Sequence, residues 1–246
     1  MAIDGGLTSM TALKSWPYKG EDKLREFPLR LDIDKLEKYI KEAHDAGWDI
    51  GIHVMGDIAI DKAIDAIYKA VKSNPRKHQH SIIHAYYPSK EALRKMKEAK
   101  IMVAAQASFI YVEADGYDSL LPKDKQIDFT PLKTYKENGI VVSLTTDMPC
   151  SNLNPFINMY AAVTRKGARG YSLGDKEKIN KYEALKMMTY NGAVLTGEEK
   201  IKGSIEPDKF ADLVVIDRNL SKTIDEELKD IKVEMTMLAG KIIYKR

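Results

Sequence analysis

The sequence predicts an α/β fold: the second half of a TIM-type (β/α) barrel, followed by a small portion of a C-terminal β-sandwich. Three observations carry this. Short apolar runs alternate with amphipathic helical segments from about residue 33 to 200, the order that produces parallel βαβ units. Three polar residues close such runs, His53 after Trp48–Ile52, His84 after Ser81–Ile83 and Asp147 after Ile140–Thr146. Beyond Gly203 the helical spacing gives way to short strands joined by turns, so the expected division is 1–202 for the partial barrel and 203–246 for the sandwich strands.

The elements follow in order. Ile33, Leu36, Ile40 and Ala43 fall at helical spacing, with Asp32 placed to cap and Gly47 to end the helix. A strand follows, running to His53. Asp57 offers the cap of a second helix with Ile60, Ala63, Ile64, Ile67 and Val71 as its buried stripe, stopping before Pro75. The next strand ends at His84. Pro88-Ser89 opens a third helix with Leu93 and Met96 inward, and Ile101–Ala105 forms a strand ending before Gln106. Residues 108–127 read as a long loop suited to a lid or substrate loop, or to a surface excursion. A short helix from Thr130-Pro131 to Asn138-Gly139 precedes the most apolar strand, which ends at Asp147. Helices are expected at Pro155–Val163 and from Lys181 to about Tyr190, the latter with Asn180 and Glu183 at capping-box spacing. Ala211–Ile216, Val233–Met237 and Lys241–Tyr244 are the closing strands, and Asp225–Lys229 is a charged helical segment. A barrel needs eight strands. Only those ending near His53, His84, Gln106 and Asp147 are clear before Gly203, with a possible remnant at Met1–Asp4.

Composition narrows the function classes. The 39 basic and 36 acidic residues are spread along the chain, leaving no concentrated basic footprint for nucleic acid. No apolar run approaches the roughly 20 residues of a membrane span. The single Cys150 excludes an internal disulfide framework, and the opening Met-Ala-Ile-Asp lacks the pattern of a secretory signal, so a cytoplasmic location is expected.

Strand ends are where an α/β barrel assembles its active site, and two imidazoles with a carboxylate are ligands a catalytic divalent metal accepts. His53, His84 and Asp147 therefore form a candidate metal-hydrolase half-site. Spacing alone leaves the bland alternatives open: a histidine ending a strand can be a hydrogen-bonded structural residue, and an aspartate before Met-Pro a turn or cap residue. His78-Gln-His80 carries the His-x-His text but precedes its strand, and reads as surface. His44, near a helix end, has no assigned role.

Several segments, in order along nearly the whole chain, resemble the amidohydrolase superfamily, in particular its metal-dependent branch of the formamide-deformylase type. They are Asp4-Gly-Gly-Leu-Thr-Ser-Met-Thr-Ala12, His53-Val-Met-Gly-Asp-Ile-Ala59, His80-Ser-Ile-Ile-His-Ala85, Gln106, Thr146-Asp-Met-Pro149, Ala162-Val-Thr-Arg165 and Gly203-Ser-Ile-Glu-Pro-Asp-Lys-Phe-Ala-Asp-Leu-Val-Val215. The resemblance implies that His53 and His84, ending the fifth and sixth strands, are ligands of a divalent metal, usually zinc. It implies that Asp147, after the eighth strand, is both ligand and proton shuttle, and Gln106 is expected to line the substrate pocket. The first-strand His-x-His pair and the fourth-strand lysine of that family have no counterpart in the sequence, so the chain reads as amino-terminally truncated. Ile83 stands where many relatives have glutamate, and Asp208 where they have a turn glycine, which aspartate tolerates.

The expected activity is hydrolysis of a carbon–nitrogen bond in a small-molecule amide or cyclic amide. The rival expectation is a catalytically silent fragment or an assembly module. Half a barrel leaves apolar strand faces and edges uncovered, so a homo-oligomer is expected. A phosphate-binding barrel fits less well, since Asp147-Met-Pro-Cys-Ser stands where a glycine-rich cradle would follow the last strand.

Overall fold

The structure, a computed structural model, describes residues 1–24 and 32–246, without the side chains of Ile33 and Asp34, so the core position expected of Ile33 lies outside the described side chains. Strands β1 (Gly51–Val54), β2 (Ser81–His84), β3 (Met102–Ala105) and β4 (Val142–Leu144) form a parallel sheet in the order β1-β2-β3-β4. Each crossover moves one place in the same direction, the succession of a barrel wall and not the reversal of a doubly wound sheet. Ala2 adds a parallel bridge to His53, where the remnant strand was expected. The described strands make an open arc; they do not close into a barrel.

One face of the arc is the core. Ile52, Val54, Ile82, Val103, Ala105 and Val142 are buried there, each large aliphatic contributing roughly 1.5–3 kcal/mol. Helices α1 (Ile33–Asp45), α2 (Asp57–Ser73) and α3 (Lys90–Ala99) pack side by side, and of the predicted stripe on α2 Ile60, Ala63, Ile64 and Ile67 are fully buried while Val71 is partly covered. Gly51, His53 and Ile83 face the opposite way and are only partly covered. Caps fall close to where the residues place them. The Asp32 carbonyl accepts from Leu36 at the start of α1, and Ser89 Oγ accepts from Ala92 at the start of α3. The α2 cap is Gly56 and not Asp57, whose carboxylate instead takes the Ser15 N–H and hydroxyl. A side chain at Gly56 would put its Cβ 1.9 Å from the Leu13 carbonyl oxygen, so only glycine lets these two backbones meet.

Residues 108–127 depart from expectation: they form helices α4 (Ser108–Leu120) and α5 (Lys123–Ile127). Ile110, Ala114 and Tyr117 bury one side of α4, a stripe interrupted in the sequence by acidic residues and Gly116. Helices α6 (Leu132–Glu137) and α7 (Pro155–Thr164) match their predicted spans closely. The last predicted helix breaks at Thr189 into α8 (Lys181–Met188), with the Asn180–Glu183 capping box formed, and α9 (Tyr190–Leu195). Arg165, after α7, is fully buried and gives its guanidinium to the carbonyls of Leu173, Thr130 and Phe129.

His80 and His44 also correct the sequence reading. Both are buried, and they form a directed chain at the amino-terminal end of the sheet. The Ile50 N–H donates to His80 Nδ1 at 3.1 Å, which leaves the ring proton on Nε2 to donate to His44 Nδ1 at 2.7 Å. His44 Nε2–H then reaches the Asn74 carbonyl at 2.7 Å. The physical reason is topological: α1 lies across the start of β2, so a histidine preceding its strand is covered and not exposed.

Strands β5 (Leu213–Ile216), β6 (Val233–Leu238) and β7 (Lys241–Lys245) form an antiparallel sheet in that order, with a 3-10 turn at Asp225–Asp230 in place of the predicted helical segment. Asp208 takes the left-handed turn conformation, φ 68°. Val214, Val215, Ile242, Ile243 and Tyr244 of this sheet are exposed. Among the described residues no helix is long and apolar enough to cross a membrane.

Candidate functional site

The carboxyl ends of β1 to β4 lie at one end of the sheet, with His53 and His84 in the last two residues of β1 and β2, and Gln106 and Asp147 following β3 and β4. Strand pairing sets His53 beside Ile83 and Val54 beside His84, so regular alternation would turn the two imidazoles to opposite faces. They meet nonetheless, ring centroids 4.5 Å apart and edge to face. The strand ends at His84, which has φ 69°, with Ala85 following at 52°, and this left-handed pair redirects the ring. Asp147 has φ 57°. Such conformations cost a non-glycine residue roughly 1–2 kcal/mol and cluster where function demands a particular side-chain direction.

His84 is the hub. It is 2 % exposed, its Nε2 lies 3.9 Å from Asp147 Oδ2, and burial, aided by the neighbouring His53 ring, lowers its pKa to about 3. A neutral imidazole at physiological pH is the form that ligates metals. Asp147, at 40 % side-chain exposure, faces the open side. Two donors about 2.0–2.1 Å from a tetrahedral zinc ion stand about 3.4 Å apart. The 3.9 Å separation is too long for a hydrogen bond and within a small side-chain adjustment of that spacing. The donor set therefore suits a divalent metal, although among the described residues no three His, Cys, Asp or Glu side chains are grouped closely enough to hold one outright.

Gln106, expected to line the substrate pocket, follows β3 at the same end of the sheet. It is 1 % exposed, and Nε2 donates to the Ala104 carbonyl and to Thr145 Oγ1 at 3.0 and 2.7 Å. What it presents to the site is an amide beside the His84 ring, close enough to oppose the fall in that ring's pKa. Its Oε1 makes no hydrogen bond; nor do the Tyr86 hydroxyl and Ser108 Oγ, all of them buried at the same end of the sheet. Unsatisfied buried polar atoms are uncommon in proteins.

Asp4 escaped the sequence reading as a site residue. Its buried carboxylate accepts the N–H groups of Leu13, Met55 and Gly56 at 3.0, 3.0 and 2.9 Å, and lies 3.8 Å from His53 Nδ1. It thus fixes the loop that leaves β1. Burial raises its pKa, against the three N–H bonds that lower it. The signal lay in the Asp4-Gly5-Gly6 text: a Cβ on Gly5 would fall 1.9 Å from Thr11 Oγ1, so the tight turn that brings Leu13 back to Asp4 needs glycine there.

The model of the Amidohydrolase family matches residues 1–244 of the chain. The chain belongs to that family. It is similar to the putative amidohydrolase YtcJ of Bacillus subtilis, 26% identical over an alignment of 246 positions that covers 99% of this chain and 46% of that protein. The N-substituted formamide deformylase of Arthrobacter pascens is 29% identical over 204 residues, 81% of this chain and 37% of that enzyme. Among solved structures, an uncharacterized metal-dependent hydrolase from Pyrococcus furiosus superposes with a TM-score of 0.76 at 27% identity, covering 90% of this chain and 44% of that one. This amidohydrolase chain spans less than half the length of each of the three.

Proposed function

We propose that this chain carries part of the active site of a metal-dependent hydrolase that cleaves a carbon–nitrogen bond in a small non-peptide amide or cyclic amide. One observation carries the reading: a buried, neutral His84 imidazole stands between His53 and the Asp147 carboxylate at the mouth of a parallel sheet. Family membership and the similarity to a formamide deformylase support it. His53, His84 and Asp147 would hold a divalent metal, zinc being the ion best suited to two imidazoles and a carboxylate. When bound, such an ion polarises the scissile carbonyl and acidifies a water. Asp147 accepts the proton of the attacking water as the carbon–oxygen bond forms, and returns it to nitrogen as the carbon–nitrogen bond breaks. Gln106, anchored through Thr145 beside the His84 ring, would line the substrate pocket. In this reading residues 1–202 form the partial barrel and 203–246 the sandwich strands of a cytoplasmic protein.

Zinc titration by calorimetry tests the metal site. Stoichiometric binding that weakens at least tenfold in His84→Ala is expected. Equal affinity in the variant would remove the basis of the reading. A second reading, an assembly module completed by another chain, draws on the partly covered inner face of the sheet and on exposed Val214, Ile242 and Ile243. It predicts a dimer or larger species by light scattering, with no metal retained after dialysis.

A further inference from the structure

The amino-terminal end of the sheet, opposite the mouth, holds a cavity of about 770 Å³, inside the roughly 300–1,000 Å³ typical of small-molecule sites. It lies among the residues entering β2, β3 and β4 and those leaving α9. Gly197, with φ 73°, brings the last of these segments against the first, since a Cβ there would stand 3.3 Å from Gln79 Nε2. Buried Met96, Ile101 and Ile140, with half-buried Val194, give the cavity an apolar lining. Charge is placed unevenly around it. Lys77, Lys97 and Lys100 line the cavity, and among the described residues their ammonium groups have no ion-pair or hydrogen-bond partner. Lysines just outside it do pair, Lys95 with Asp65 and Glu91, and Lys72 with Glu98. Lys100 also holds a left-handed backbone, φ 55°, at the helix end where glycine is usual, so a long cationic side chain stands where the backbone favours none. Glu199, beyond α9, brings the opposite sign. Its Oε2 is buried with no hydrogen-bond partner, a costly state for a carboxylate. It lines the same cavity yet pairs with none of the three lysines, so the two signs of charge stand further apart than an ion pair reaches.

We propose that this cavity binds a small zwitterion, an ammonium and a carboxylate at opposite ends of an apolar body. The ligand ammonium donates to Glu199, and its carboxylate accepts from Lys77, Lys97 and Lys100. A plain anion would leave Glu199 unpaired and be repelled by it; a plain cation would do the same to the lysines. A zwitterion supplies the missing partner to both, and charge-assisted hydrogen bonds are the stronger kind. Its apolar body covers Met96, Ile101 and Val194. The site is separate from the hydrolase reading and uses none of His53, His84 or Asp147.

The test uses 6-aminohexanoate, with hexanoate and hexylammonium as singly charged comparisons, titrated by calorimetry into the full chain in the presence of a chelator. The zwitterion is expected to bind about tenfold tighter than either comparison. Glu199→Gln should abolish its advantage over hexanoate, and the double variant Lys97→Gln, Lys100→Gly its advantage over hexylammonium. Lys100→Gly alone should weaken 6-aminohexanoate while leaving the thermal midpoint unchanged or higher, because glycine relieves the left-handed backbone. His78 lines the same cavity, so its ring C–H resonances should move as the zwitterion binds. His84→Ala, at the other end of the sheet, should bind 6-aminohexanoate as tightly as the parent; weaker binding there would move the ligand to the mouth and overturn the site. So would no binding, equal binding of hexanoate or hexylammonium, or unchanged affinity in Glu199→Gln. Loss of zinc binding would sink the hydrolase reading and leave this one standing.

Discussion

At the scale of single residues, the site depends on side chains whose backbone or burial is costly. His84 and Asp147 sit in left-handed conformations, and Asp4 is a carboxylate buried to collect three N–H groups. Asp4→Ala leaves those donors unpaired. About 3 kcal/mol of stability should be lost in urea unfolding at pH 7, the size expected when more than one buried donor is orphaned; a loss below about 1 kcal/mol would mean the loop is held by other contacts. Asp147→Asn separates ligation from proton transfer. Under the proposed function, hydrolysis should fall by about 10²–10⁴ while the fold is unchanged by circular dichroism. A polar residue closing a buried run is conspicuous in the sequence, which is why His53, His84 and Asp147 stand out there, and His84 lies near both of the others. Asp4, which collects three N–H groups beside His53, precedes the strands, and no periodicity singles it out.

At the scale of elements, caps and close approaches decide the detail. Predicted spans for α2, α3, α6 and α7 match the structure to within a few residues, although the cap of α2 falls on Gly56 and not on Asp57. The segment 108–127 was misread because Gly116 and its acidic residues mask the Ile110–Ala114–Tyr117 stripe, and packing against α7 overrides the weak local propensity. The cap at Gly56 gives a sharp expectation. Gly56→Ala must drive the Leu13 backbone away from α2, costing about 2 kcal/mol or more in stability and loosening the Asp4 turn. The zinc affinity of this variant, measured beside its stability, should weaken with it; a stable variant would show that the two backbones can part freely.

At the scale of the whole molecule, pH dependence follows from two buried histidines. Burial holds both His84 and His80 at a pKa of about 3, below the ordinary 6.5 that the unfolded chain recovers. Between those limits the unfolded state binds more protons, so stability is complete above pH 6.5 and declines as pH falls toward 3. Each histidine should remove about 2 kcal/mol between pH 7 and pH 5. Urea midpoints at the two pH values check this, and identical midpoints would contradict it. Asp4, raised by burial, acts in the opposite sense only near the carboxylate range. The parallel order of the sheet was readable from alternating elements alone. The partial cover of Gly51, His53 and Ile83 on its second face follows from the small count of strands.

The one-way chain from Ile50 through His80 and His44 to Asn74 has a spectroscopic consequence. Each ring holds its single proton on the nitrogen that donates, and neither ring touches solvent. Those two imidazole hydrogens should exchange slowly with deuterium oxide and resonate far downfield. They offer a built-in reporter at the closed end of the sheet, one that stays silent when ligand enters the mouth and disappears when α1 lifts away.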